Sequence, residues 1–198
     1  MIDGVIKYNF DYQKSKPLKN NLFKKIEKVR KRLFTLELIG EKDGIGYGNI
    51  SQKIGDKKFV ITGTQTGYLS NLKSKHYSLI EEYNDRKFYI KSSGACKPSS
   101  EALTHGTIYN LDSKIGAVIH IHSLKFWNFM LENNFLATTD VEYGSIEMIE
   151  EVKRIFAKIE PLSKPKFVMK GHKEGIVFFG KNIKEAELEL YSVLKLLI

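Results

Sequence analysis

Residues 97–123 read KPSSEALTHGTIYNLDSKIGAVIHIHS, a helix start followed by a buried strand. Pro98 with Ser99 or Ser100 is helix-start chemistry, which puts Glu101 in the first turn. The exposed amides of such a start, with the two serine hydroxyls, can hold a phosphate. Leu103, Thr107 and Ile108 give that helix its inward face, and residues 117–122, AVIHIH, read as the central strand. Side chains two apart on a strand project to the same face, so His120 and His122 can meet one ion. Imidazole nitrogen is the commonest side-chain ligand for zinc-like metals, and three protein ligands with an open position is the catalytic arrangement. The third ligand has to come from elsewhere, and His172 in KGHKEG is the best candidate. A lone histidine in an apolar run is more often a hydrogen-bonded core residue; a pair on one strand face favours the metal. His105, one turn after Glu101, reads as helix packing or a hydrogen bond to a neighbour rather than a ligand.

Outward from this stretch the elements are shorter. Residues 57–62 (KKFVIT) and 86–91 (RKFYIK) read as strands, the first followed by the donor-rich loop GTQTG. Residues 43–51, DGIGYGNIS, are glycine-rich without the dinucleotide-binding pattern; such glycines allow close backbone approach to an anion, or simply make turns. Ahead of them, Leu22, Ile26, Val29, Leu33 and Leu36 keep helical spacing after an Asn20 or Asn21 cap, with Gly40 closing the helix. Past the central strand, residues 126–131 suggest a short apolar helix and Asn133-Asn134 a turn. Ser145 caps another helix carrying Ile149, Val152, Phe156 and Ile159 inward. Residues 166–169 and 175–179 read as paired strands joined through Gly171-His172, and Asn182 caps a final helix. The alternation predicts a mixed α/β domain, a largely antiparallel sheet flanked by helices.

Composition sets the limits. A chain of 198 residues with 42% hydrophobic residues suits one domain over 1–198. No apolar stretch is long enough to cross a bilayer, and the N-terminus does not read as a signal peptide. The single cysteine, Cys96, rules out an internal disulfide, reads as a small packing residue, and points to a reducing cytoplasmic setting. The net charge of +9 is spread through the chain and densest around residues 24–32, without aromatic interleaving. That pattern reads as a solvated helix face; nucleic-acid binding is a minority reading supported by charge alone.

Taken together and in order, Gly48-Asn49-Ile50-Ser51, Ile61-Thr62 through Thr66-Gly67, and Lys97-Pro98-Ser99-Ser100-Glu101 form a recognisable series. It continues through Thr104-His105 to Tyr109, Ala117 to Ser123, and Gly171-His172. Over about residues 22–196 the chain resembles the class II aldolase/adducin family, which includes sugar-phosphate aldolases, epimerases and dehydratases. The resemblance implies a three-layer αβα sandwich with a central, mostly antiparallel sheet, and a homotetramer with sites between subunits. It implies a divalent metal, most commonly Zn2+, on His120, His122 and His172, with Glu101 as exchangeable fourth ligand and acid/base. Asn49, Thr66, Gly67, Ser99 and Ser100 match positions that hold a substrate phosphate. The chemistry implied is aldolase-type cleavage of a small keto sugar or sugar phosphate through a metal-stabilised enediolate.

Three departures from the family pattern matter. ITGTQTG is longer than the usual I-T-P-[ST]-G loop, and Lys173-Glu174-Gly175 lengthens the segment after the third histidine, where Glu174 offers an extra acceptor. The family aldolases use a tyrosine from a neighbouring subunit, whereas Tyr143 in EYGS, the catalytic tyrosine candidate here, resembles the Tyr-Gly of the epimerases. Glutamate at 101 favours an aldolase or dehydratase over epimerases that carry aspartate there. A related dehydratase or epimerase, or a noncatalytic adducin-like interaction module, are the alternatives; a noncatalytic module predicts degraded ligand positions, and this chain keeps all four.

Overall fold

AVIHIH sets Ala117, Ile119 and Ile121 on one face and Val118 with two histidines on the other, and residues of both faces are buried, so a layer must cover each side. The computed structural model describes residues 5–197. An edge strand β1 (Asn9–Lys14) leads to helix α1 (Asn20–Thr35) and a small hairpin, β2 (Gly40–Lys42) and β3 (Ile45–Tyr47). Then come β4 (Asn49–Gly55), β5 (Lys58–Thr62), β6 (Tyr77–Asn84) and β7 (Tyr89–Gly94), successive antiparallel neighbours. The second half alternates: α2 (Ala102–Leu111), β8 (Ala117–His122), α3 (Leu124–Glu132) and α4 (Ile146–Phe156). It ends with β9 (Lys166–Val168), β10 (Gly175–Gly180) and α5 (Ile183–Leu194). The eight-stranded sheet runs β1-β7-β6-β5-β4-β8-β10-β9, and each pairing in it is antiparallel except β1 with β7.

Residue parity assigns each side chain to a face. On β8, Ala117, Ile119 and Ile121 join the cluster built with α1, α3 and α5, while Val118 joins the cluster under α2 and α4. On β10, Ile176 and Phe178 go to the first cluster, and Val177 and Phe179 to the second. The two clusters make the expected three-layer αβα sandwich. A one-residue slip of β8 would replace Ala117, Ile119 and Ile121 on that face with Val118 and two histidines, so the register is strongly set.

Several local expectations shift. Helix α1 begins at Asn20 itself, after Lys19, and closes at Leu36 rather than at Gly40. Glu37 takes the left-handed conformation (φ 57°), and the Leu38 amide bonds back to the Leu33 carbonyl. Gly40 instead sits in β2, where an added Cβ would stand 2.7 Å from the Tyr47 hydroxyl. The strand expected over 86–91 begins three residues later, because residues 85–88 form the β6–β7 turn with Phe88 at φ 50°. The caps at Ser145 and Asn182 form as expected, each side chain accepting from amides of the following turn.

Candidate metal centre

His120 and His122 share parity with Val118, so both face the α2 layer. Across the sheet, Asn49 of β4 pairs with His120, and Gly175 of β10 lies opposite His122. His172 sits in the turn between β9 and β10, held by its amide to the Met169 carbonyl and by its carbonyl to the Gly175 amide. The three imidazoles converge through one kind of atom. His122 Nε2 lies 3.1 Å from His120 Nε2 and 2.9 Å from His172 Nε2. His120 Nδ1 faces the Ile176 carbonyl at 3.2 Å, an acceptor, so Nδ1 is placed to donate there while Nε2 is turned to the other two rings.

This donor set fits a divalent ion of the zinc type. Three ring nitrogens brought this close repel one another unless a cation or protons lie among them. Burial, followed by the neighbouring His120, His172 and Lys42, pushes His122 well below the usual histidine range, so it is neutral and able to ligate. Among the described residues, His120, His122 and His172 are the mutually close set of such donors. Glu101 reaches it from α2: its Oε2 lies 3.0 Å from His120 Nε2 and accepts a 2.7 Å bond from Asn49 Nδ2. Glu101 occupies the cap position ahead of Ala102, not the first turn, and makes no side-chain cap bond; its carboxylate is turned to the histidines instead.

A small cleft opens over these groups. It is lined by Asn49, Thr66, Gly67, Ser99, Ser100, Glu101, His122, Tyr143 and His172, with His120 buried behind. The sequence candidates are therefore brought to one place, Tyr143 from the same chain. The Tyr143 ring lies 4.7 Å from that of His172. His105 is fully buried outside the cluster, its Nδ1 2.7 Å from Ser51 Oγ, which also meets the Tyr109 hydroxyl at 2.7 Å. Burial, then the nearby His120, keeps it neutral; it is the hydrogen-bonded core residue expected. Burial pushes the Cys96 thiol up to about 11, in keeping with a packing role. Glu174 pairs with Lys42 of β2 at 3.2 Å rather than with a candidate ligand histidine.

Residues 41–197 match the family described as the class II aldolase and adducin N-terminal domain. The chain belongs to that family. Solved structures agree in fold at low sequence identity. An L-fuculose 1-phosphate aldolase shares 16% identity with a TM-score of 0.68, covering 91% of this chain and 86% of its own. A sugar-phosphate aldolase from Thermotoga maritima shares 18% with a TM-score of 0.67, covering 90% and 92%. An L-fuculose-1-phosphate aldolase from Thermus thermophilus shares 18% with a TM-score of 0.60, covering 90% of each chain.

In this class II aldolase/adducin chain, sequence reasoning missed several residues at the cleft. Tyr47 stacks on His122, ring centres 5.3 Å apart at 27°. Gln65, in the lengthened loop, accepts from the Gly46 amide at 2.9 Å and ties that loop to the β2–β3 hairpin. Gly175 is required by space, since an added Cβ would stand 2.6 Å from His172 Cδ2 and 3.2 Å from His120 Cε1. Its signal was present: a glycine opening a strand beside a candidate ligand. Tyr47 gave none, being one aromatic among turn glycines. No helix among the described residues is long and apolar enough to cross a membrane.

Proposed function

We propose that this chain, acting as one domain, is a divalent-metal-dependent aldolase-type lyase for a small keto sugar or sugar phosphate. The observation that carries this is the convergence of three histidine Nε2 atoms beside the Glu101 carboxylate in a hydroxyl-lined cleft. A divalent ion held by His120, His122 and His172 would supply a Lewis acid for a substrate carbonyl. Glu101 then transfers the proton at the carbon beside that carbonyl, oriented by the Asn49 amide on its Oε2. Ser99, Ser100, Thr66 and Gly67 line the side of the cleft suited to an anionic group, although the Thr66 hydroxyl already donates to the Gly63 carbonyl at 2.8 Å. In cleavage the carbon–carbon bond breaks as the departing fragment's hydroxyl becomes the aldehyde. The hydroxyl proton passes through water to Glu101, which returns it to the enediolate carbon. Tyr143 is the residue assigned to hydrogen-bond the aldehyde oxygen. The reading takes zinc as the ion, a homotetramer as the assembly and the cytoplasm as the location, all from family likeness.

The test pairs Glu101→Gln with wild type. The amide keeps shape but cannot accept a proton, so proton exchange of a bound ketone should fall on the order of a hundredfold or more. Zinc content should stay near wild type because the three histidines remain. A panel of ketose 1-phosphates and free ketoses, read by aldehyde release, identifies the substrate. Exchange at the wild-type rate in the variant would remove Glu101 as the base.

A further inference from the structure

Two side chains ahead of β1, outside the 41–197 family match, reach the cleft wall from behind. The Lys7 ammonium lies 2.8 Å from the Tyr143 carbonyl, 2.7 Å from Glu142 Oε1 and 3.9 Å from the centre of the Tyr143 ring. One cation thus holds the backbone, the neighbouring carboxylate and the π-face of a single segment. Its neighbour Tyr8 is 3% exposed and donates its hydroxyl to the Ser99 carbonyl at 2.8 Å. Burial raises the Tyr8 hydroxyl far above its usual range, so it stays a donor. The same carbonyl accepts the Ala102 amide at 3.1 Å, which ties Tyr8 to the turn presenting Glu101.

The two halves of this wall also touch each other. Gly144, at φ +62°, packs so closely that an added Cβ would stand 3.1 Å from the Ser100 carbonyl. Tyr143 in turn sits on His172. Lys7 and Tyr8 therefore grip the 142–144 segment and the 99–101 turn from adjacent positions in one extended segment.

We propose that Lys7 and Tyr8 are positioning residues of this site, setting Tyr143 and the Ser99–Glu101 turn relative to each other; the kinetic part rests on the lyase reading. Reactions that depend on such placement are sensitive to it, a misplacement of about 1 Å costing up to roughly a hundredfold. Simple packing by an N-terminal segment would affect melting alone.

The experiment uses the full zinc-loaded chain with 3-fluorotyrosine at position 143, and separately at 191 as a distant control, read by fluorine NMR. Lys7→Met should broaden or split the 143 resonance and leave 191 unchanged, and Lys7→Arg should restore a single line. On the substrate from the aldehyde-release panel, Lys7→Met should lower kcat about tenfold or more with KM little changed. Tyr8→Phe, which keeps the buried ring, should instead raise KM through the Ser99–Ser100 turn. Zinc stoichiometry should be unchanged in all three variants. An unmoved 143 resonance in Lys7→Met, or equal changes at 143 and 191, overturns the proposal. So do melting shifts with wild-type kinetics. The fluorine arm decides even if no substrate in the panel turns over, which separates failure here from failure of the lyase reading.

Discussion

Gly175→Ala is the sharpest probe of how the three histidines are seated. The added methyl would lie 2.6 Å from His172 Cδ2, 2.8 Å from the His172 carbonyl and 3.2 Å from His120 Cε1. Ordinary carbon contacts are about 3.5–4.0 Å, so the His172 ring must yield by on the order of 1 Å. Cδ2 is bonded to Nε2, so the ligand atom moves by a similar amount. Metal–ligand distances tolerate about ±0.2 Å, several times less. Overpacking alone should cost roughly 1–3 kcal/mol of fold stability. Zinc affinity should drop further, about 10–100-fold or more, the range seen when groups supporting a ligand are disturbed. Competition with a chromophoric chelator reads the affinity, and urea unfolding of the metal-free protein reads the stability. Gly55→Ala is the control, since its Cβ would meet nothing nearer than Lys58 Cβ at 3.9 Å. Wild-type zinc affinity in Gly175→Ala, whatever its stability, would refute the seating of His120 and His172 on this glycine.

Two further outcomes are expected. His105 and His122 are both held well below the usual histidine range, by burial first and nearby histidines second. Unfolding frees them to bind protons below about pH 6.5, so metal-free stability should fall as pH drops through that value, by on the order of 1 kcal/mol per unit for each. Equal urea midpoints at pH 7 and 5.5 would contradict this. Elsewhere, Arg30 is 1% exposed, gripped bidentately by Glu27 at 2.8 and 3.2 Å and by the Leu69 and Ser70 carbonyls. Glu27→Ala strands that buried charge and leaves the Leu72 amide and Tyr77 hydroxyl without their acceptor, so unfolding should come about 3–5 kcal/mol sooner. A loss under about 1 kcal/mol would mean the network relaxes.

What the sequence disclosed and what it hid divide along a physical line. His120 and His122 were legible because strand parity is a local rule, and AVIHIH satisfies it with apolar residues on the alternate face. The Asn182 and Ser145 caps were legible for the same reason, each bond closing within three residues. Strand β6 was not, because YSLIEEYN carries two adjacent glutamates and a register shift between Ile80 and Glu82. Phe88 misled in the opposite sense, a strand-favouring residue held at φ 50° by a turn that Asn84 closes on the Lys87 amide. At the site, contacts between segments distant in the chain were hidden wherever residue type carried no message. Lys7 meets Tyr143 across 136 positions, Tyr8 meets Ser99 across 91, and Tyr47 covers His122 from a separate hairpin. A histidine pair announces its chemistry before its partners are known; a lysine or tyrosine acquires a role only from what it touches. The candidate ligands could therefore be read from the chain, while the residues packed against them had to be read from the fold.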